Sequence, residues 1–266
     1  MEKIDGVGIA QKIIERLKNQ NRPDKILAAV LVGDNPESRN FLKQKEKIAK
    51  KLGVGFKIYK FPENSTNDFL RKEIGKIALL KKAGGMIVQL PLPSRLNKHY
   101  LLNIIPQEKD VDVLGEGAHL VLPPAVGVVE EIIKNLKLKI KNYRVAVVGA
   151  GFLVGKPIAV FLRGKVKELA IFEKGSDLSG LKNFDLVISG VGQAGLIKPE
   201  MLKDGAGVID FGCLIKNGKI RGDFDLSGLK TKNLKLKTNW YTPTPGGTGP
   251  ILVAKLFENF YNLAGV

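Results

Sequence analysis

Short apolar runs that stop at glycine or proline constrain this chain more than any other feature. "KILAAVLVG", "GGMIVQLP", "RVAVVGAG", "FDLVISGVG" and "GAGVIDFG" are nearly continuous in Val, Ile, Leu and Ala. Strands of that kind are buried on both faces, the condition of a parallel sheet covered by helices. The stretches between the first of them have helical period. "DGVGIAQKIIERLKNQ" precedes the first run. "NPESRNFLKQKEKIAKKLG" follows it, with Pro36 compatible with a helix start and Gly53 placed as a C-cap. "VGFKIYKF" alternates as a strand, and "STNDFLRKEIGKIALLKKA" opens on the cap-type residues Ser65, Thr66 and Asn67. "GGMIVQL" is the next strand, its apolar part Met86 to Val88 following a Gly-Gly break. The order β-α-β-α-β predicts a parallel sheet with right-handed crossovers.

From about residue 98 to 123 the pattern is mixed: a short helix in "KHYLLNII", then loop in "PQEKDVDVLGEGAHLVLPP". "AVGVVEEIIKNLKL" is helical and joins the halves. A second strand–turn–helix series follows, and "TGPILVAKLFENFYNLAG" closes the chain as an amphipathic helix. The expected fold is α/β with two lobes. Residues 1–122 form the first; 123–136 connect; 137–247 form a Rossmann-like second lobe; a helix at 248–266 ends the chain.

Bulk properties exclude several classes. No run in the 266 residues approaches the roughly 18–20 apolar positions that span a bilayer, and the N-terminus lacks the apolar core of a secretory signal. One cysteine, Cys213, excludes an internal disulfide framework and a Cys-based zinc site, and fits a reducing cytoplasm. The net charge of +17, 43 Lys+Arg against 26 Asp+Glu, attracts polyanions. The lysines are spread along nearly every helix and no recognition motif accompanies them, so an acidic small molecule is expected rather than nucleic acid. His99 and His119 are the only histidines; neither has metal or triad spacing, and both are expected on the surface or in loops.

Two places suggest chemistry. Gln89 is an uncharged amide at the end of a buried strand, just before "LPLP" forbids further pairing. It either satisfies a loop or faces a ligand, since ligands of α/β proteins bind beyond strand carboxyl ends. The other is "RVAVVGAGFLVGKPIAVFL", a strand running into Gly149, Gly151 and Gly155 and then a helix. Glycines there let the backbone approach a pyrophosphate, and the helix N-terminus offers N–H groups to it. The spacing is one residue longer than the usual fingerprint. Glu173 ends the next strand, roughly 20 residues on, where an acid accepts from ribose hydroxyls. A carboxylate repels a 2′-phosphate and so favours NAD over NADP, although the adjacent Lys174 could pair with that phosphate.

The motifs together resemble the methylenetetrahydrofolate dehydrogenase/methenyltetrahydrofolate cyclohydrolase family, nearly end to end. "VGDNPESRNFLKQKEK" is similar to V-G-x-x-P-x-S-x-x-Y-V-x-x-K, "GGMIVQLPLP" to G-x-x-V-Q-L-P-L-P, and "KDVD" to the start of K-D-V-D-G. "VVGAGFLVGKPIA" resembles V-V-G-R-S-x-x-V-G-x-P, and "YTPTPGGTGPILVAKLFEN" resembles T-P-V-P-G-G-V-G-P-M-T. The resemblance implies oxidation of 5,10-methylenetetrahydrofolate with NAD or NADP and hydrolysis of the methenyl product to 10-formyltetrahydrofolate. It implies that Lys45 is the essential lysine, that Gln89 hydrogen-bonds it, and that Asp112 holds the pterin ring. On residues alone Lys45 is one solvated helix lysine among Lys43 and Lys47, Asp112 is a loop carboxylate, and Asp110 is structural. Lys45 follows Ser38 by seven residues, so a helix puts both on one face. The resemblance further implies substrate contacts from Ser38, Phe41, Leu90 and Pro91, and from the Pro245-Gly246-Gly247 turn. On residues alone that turn is a tight bend feeding the last helix. Cofactor contacts fall on Gly149, Ala150, Gly151, Gly155, Lys156 and Pro157, then Glu173, Lys174, Gly190 and Gly192. The resemblance also implies a homodimer through the second lobe and a C-terminal helix, 248–266, that returns to complete the first lobe. Converging strand ends place the expected cleft between the lobes, and the positive field favours a polyglutamylated, anionic folate.

Several positions depart from the family. Its tyrosine is Phe41, which keeps the ring but loses the hydroxyl. The glycine after K-D-V-D is Val113, P-C-T-P-x-G is "LPPAVG", and R-S is Ala150-Gly151, which removes an arginine suited to a 2′-phosphate. These departures leave open a dehydrogenase with impaired hydrolysis, or a protein of this fold with another substrate.

Overall fold

A computed structural model of the chain describes residues 2–216, 219–226 and 238–265. Its first half runs β1 (Glu2–Lys3), α1 (Gly6–Lys18), β2 (Ile26–Val32), α2 (Pro36–Leu52), β3 (Gly55–Phe61), α3 (Asn67–Ala78), β4 (Ala83–Val88), α4 (Lys98–Leu102) and α5 (Pro124–Asn135). Then come β5 (Arg144–Val148), α6 (Gly155–Leu162), β6 (Glu168–Phe172), β7 (Leu186–Ser189), β8 (Ala206–Asp210), β9 (Leu214–Lys216), β10 (Lys219–Arg221), β11 (Thr238–Tyr241) and α7 (Thr248–Ala264). The chain divides into two compact units, one of Gln11–Pro124 with Val253–Val266, the other of Met1–Ala10 with Ala125–Leu252.

The first unit is built on a parallel sheet of order β3-β2-β4. The central strand is buried along nearly its whole length, as a continuous apolar run requires. α2 is delimited by its own ends. Asn35 accepts from the Ser38 N–H, Pro36 occupies the first turn, and Gly53 closes the helix at φ 66°. α3 is capped by Thr66, whose hydroxyl accepts from the Phe69 N–H. The Gly84-Gly85 pair does not break β4; both glycines lie inside it. A Cβ on Gly85 would sit 2.8 Å from the ring of Phe260 and 2.7 Å from Val111, and one on Gly84 would sit 2.6 Å from Ala264. The glycines are there because α7 lies too close for side chains. Phe257 and Phe260 of α7 are fully buried.

The second unit holds a parallel six-stranded sheet of order β1-β11-β8-β7-β5-β6, with β9 and β10 as a separate hairpin. Four of these elements, β1, β9, β10 and β11, have no strand signal in the sequence. β1 pairs β11, Glu2 opposite Trp240. Residues Met1–Ala10 therefore belong with this unit, where the pattern of the sequence had assigned them to the first lobe. The helix expected to connect the halves, α5, also clusters here from Ala125 on. The strand order reverses at β5, which has β6 on one side and β7 on the other. That reversal is where α/β sheets bind ligands.

Candidate active site

In the first unit the order also reverses at β2, and three of the side chains singled out in the sequence converge near its carboxyl edge. Gln89 follows β4 directly, its N–H bonded to the Val30 carbonyl of β2 at 2.9 Å. Its side-chain NH₂ donates to the Leu90 carbonyl at 2.7 Å. That leaves Oε1 pointing away as an acceptor, and the Lys45 ammonium donates to it at 3.0 Å. Lys45 lies on the inner face of α2 with Ser38, whose hydroxyl reaches toward the same Leu90 carbonyl at 3.5 Å. Lys45 is only 9% exposed, while its neighbours Lys43 and Lys47 are exposed. A lysine is rarely buried without a partner. Phe41, one turn away on α2, stays 37% exposed, and Pro91 beyond Leu90 is exposed.

The third member is Asp112, whose Oδ2 lies 3.9 Å from the Lys45 Nζ. Burial pushes its carboxyl above the usual range; Lys45 opposes that shift and Asp110 adds to it. Asp110, 2% exposed, accepts from the Leu114 and Gly115 N–H groups at 2.8 Å each. It closes the turn that carries Asp112, a structural role. Val113 occupies the left-handed region at φ 58°, a conformation that strains a β-branched residue. The resemblance puts glycine there, which takes this φ without strain.

In the second unit the turns after β5 and β7 face each other. Gly149 has φ 90°, and its N–H bonds the Phe172 carbonyl at 2.8 Å. A Cβ on Gly155 would lie 1.6 Å from the Gly149 carbonyl oxygen, and one on Gly190 would lie 2.6 Å from Val154. Bare backbone packs on bare backbone, leaving a cradle for an anionic group. No side chain caps α6; the Lys156 N–H already bonds the Gly151 carbonyl at 3.0 Å and Pro157 has no N–H, so of the first turn only the Gly155 N–H is left to offer a ligand. Ala150, Gly151 and Lys156 are exposed along this turn, with Pro157 half-buried beside them. Glu173 is exposed and directly follows Phe172. It begins a tight turn: Ser176 N–H bonds the Glu173 carbonyl at 3.0 Å, Gly175 has φ 91°, and Lys174 is exposed. Gly192, at φ 74°, has open space around it. These residues fit a dinucleotide: a glycine floor, a helix N-terminus and an acid at the neighbouring strand end.

Two buried carboxylates hold these turns, and the sequence analysis singled out neither. Asp223 is fully buried and accepts from the Ser189 hydroxyl at 2.7 Å, Val191 N–H at 2.8 Å and Gln193 N–H at 2.7 Å. Asp210, at the end of β8, accepts from Gly212 at 2.7 Å, Asp223 at 3.1 Å and Phe224 at 3.0 Å. Burial first, and Asp223 nearby, push the Asp210 carboxyl up to about 6. The folded state then binds this proton more tightly than the unfolded chain. Its stabilising contribution is full below about pH 4 and lost as pH rises through about 6. Two pH units correspond to about 3 kcal/mol. Unfolding free energies of wild type and Asp210→Asn, compared at pH 4 and pH 7, should differ in that sense, wild type gaining at the lower pH. A difference independent of pH would refute it.

The Pro245-Gly246-Gly247 turn belongs to this unit as well. Gly247 is packed tightly, a Cβ there meeting the Pro243 carbonyl at 2.4 Å, and Gly6 lies against the Gly247 carbonyl. Gly246 has φ 97° and open space. The tight-bend reading holds for Gly247, while Gly246 keeps room for an approaching ligand. His99 is exposed in α4, and His119 lies in the loop with its Nδ1 buried.

The comparisons with known proteins agree along the whole chain. A family model described as the catalytic domain of tetrahydrofolate dehydrogenase/cyclohydrolase matches residues 4–112, and one described as its NAD(P)-binding domain matches residues 123–265. The bifunctional protein FolD of Mycoplasmopsis synoviae (strain 53) is 34% identical over 284 residues, 99% of each chain. The crystal structure of the bifunctional enzyme FolD, methylenetetrahydrofolate dehydrogenase/cyclohydrolase, from Campylobacter jejuni superposes with a TM-score of 0.90 at 30% identity, covering 100% of this chain and 99% of that one. That of the Trypanosoma brucei enzyme, complexed with NADP cofactor and inhibitor, does so at 0.89 and 26%, covering 98% and 96%.

Proposed function

Because the chain belongs to the tetrahydrofolate dehydrogenase/cyclohydrolase family, we propose that Lys45, Gln89 and Asp112 act on the folate and that the glycine turn after β5 holds the dinucleotide. The enzyme oxidises 5,10-methylenetetrahydrofolate to the methenyl form with NAD(P) and hydrolyses that product to 10-formyltetrahydrofolate. One observation carries the residue assignment: a buried lysine 3.0 Å from a glutamine whose amide is already oriented, with a carboxylate 3.9 Å away.

A nicotinamide dinucleotide supplies the hydride acceptor. For that step the protein's task is alignment, with no proton to move. Asp112 accepts from the amine and N–H groups of the pterin and fixes its position. Hydrolysis asks more. Water adds to the amidinium carbon of the cation; one of its protons is released to solvent, and the other passes to the ring nitrogen as the bond from that nitrogen to the carbon breaks and the formyl carbonyl forms. Lys45 is the group that moves that proton. Gln89, a neutral acceptor, takes one N–H of that amine at 3.0 Å and leaves its other positions directed elsewhere, with the Asp112 carboxylate 3.9 Å away. Phe41 offers a ring face and no hydroxyl, so proton handling rests on the amine.

We infer NAD as the preferred cofactor. Glu173 beside the turn repels a 2′-phosphate, and Ala150-Gly151 offers no arginine to receive one. The ratio of kcat/KM with NAD to that with NADP should exceed one, and Glu173→Ala should lower it by about tenfold. A wild-type preference for NADP would overturn this reading. The net charge of +17 supports a polyglutamylated substrate. KM should fall with tail length, and less so at high salt. The open edge of β6, with Ile171 43% and Val160 of α6 61% exposed, supports a homodimer through the second unit, which sedimentation checks. The single cysteine favours the cytoplasm, which fractionation checks.

A further inference from the structure

The segment from Asp110 to Leu122 is held at both ends. At its start, Asp110 forms a parallel bridge with Met86 at the core of β4. Its carboxylate then closes the turn through Leu114 and Gly115. The next residue, Val111, is fully buried, and its carbonyl cannot reach water. It accepts instead from the side chain of Asn259, at 2.9 Å. The same amide nitrogen donates to the Leu122 carbonyl at 2.8 Å. Asn259 sits in α7, is 5% exposed, and spends both N–H groups on the two ends of one loop.

The Val111 carbonyl belongs to the peptide plane that leads directly into Asp112. Fixing that plane fixes the N–Cα bond of Asp112, and the turn closed by Asp110, whose carbonyl accepts from the Val113 N–H at 3.3 Å, holds the residue from its other side; together they direct the Asp112 side chain. Asn259 never touches Asp112, Lys45 or Gln89 in the bonds it makes. We propose that Asn259 is a positioning residue for the folate site: its amide sets the Val111–Asp112 peptide and, with it, the Asp112 carboxylate. The proposal rests on the reading of Asp112 as the residue that holds the pterin. Few other side chains serve. A carboxylate would turn oxygen toward two carbonyl oxygens, and leucine, of similar size, would leave both carbonyls buried without a donor.

The test is a double-mutant cycle on the full-length enzyme with Asn259→Leu and Asp112→Asn. Asn259→Leu should raise KM for 5,10-methylenetetrahydrofolate about tenfold and change KM for NAD by less than about twofold. In the Asp112→Asn background it should raise the folate KM no further. A loop that merely stabilises the fold would move both KM values together. Multiplying effects in the double variant would overturn the positioning role while leaving Asp112 in place. A folate KM unchanged by Asp112→Asn would overturn both assignments. If the leucine variant does not accumulate folded, as circular dichroism reports, Asn259→Ser takes its place. Its shorter hydroxyl cannot bridge the two carbonyls, and the same pattern is required of it.

Discussion

Lys45→Met is expected to slow hydrolysis of methenyltetrahydrofolate by a factor of about 10² to 10⁴, the range that a positioned proton-transfer group contributes. Methionine keeps the length and the apolar stem of lysine, so the packing of α2 against the sheet survives. What disappears is the amine 3.0 Å from Gln89. The Gln89 oxygen is then left without its donor in a site that water reaches poorly, at a cost of about 1–3 kcal/mol in stability. Oxidation of the methylene substrate should fall much less, since a hydride moves without a proton from the protein. Following the loss of methenyl absorbance beside dinucleotide reduction separates the two. Hydrolysis within about threefold of wild type would remove Lys45 from the mechanism.

Gly155→Ala should have the second large effect, on the other unit. The added Cβ would lie 1.6 Å from the Gly149 carbonyl oxygen and 2.8 Å from its carbon. Backbone cannot yield as a side chain tip does, so the turn after β5 must open. Gly149 is tied to β6 through Phe172, and the opening spreads there. Overpacking of this severity costs about 3 kcal/mol or more. Dinucleotide KM should rise at least about a hundredfold. Gly151→Ala is the control. Its nearest neighbour would be 3.9 Å away, an ordinary contact, so stability should hold within about 0.5 kcal/mol. Thermal unfolding without NAD distinguishes the pair, and the shift on adding NAD reads dinucleotide binding by Gly155→Ala. A Gly155→Ala enzyme that is stabilised by NAD as wild type is would contradict the cradle.

The legibility of this fold in the sequence varied by element. β2, β5, β7 and β8 are apolar runs bounded by glycine, and α2 carries its own cap at each end; each signal lies within a few consecutive residues. β1 and β11 carried none. Two residues of the N-terminus become a strand only because Trp240 and Tyr241 stand beside them. The Gly-Gly of β4 looked like a break because its reason, the ring of Phe260, lies at the far end of the chain. In the site, motif resemblance singled out Lys45, Gln89 and Asp112, while Asp223 and Asn259 had no local mark. An aspartate in a loop and an asparagine in a helix are ordinary until their partners are known.

Period, glycine and cap residues by themselves determined an α/β chain with a nucleotide-type turn at Gly149–Gly155. Which of three nearby lysines leaves water, and which carboxylate stands beside it, was decided by the tertiary structure. Lys45 and Gln89 are 44 positions apart, and Asn259 and Val111 148 apart. Helix and turn preferences act over one or two turns of chain, whereas burial and the pairing of buried polar groups depend on what packing brings together.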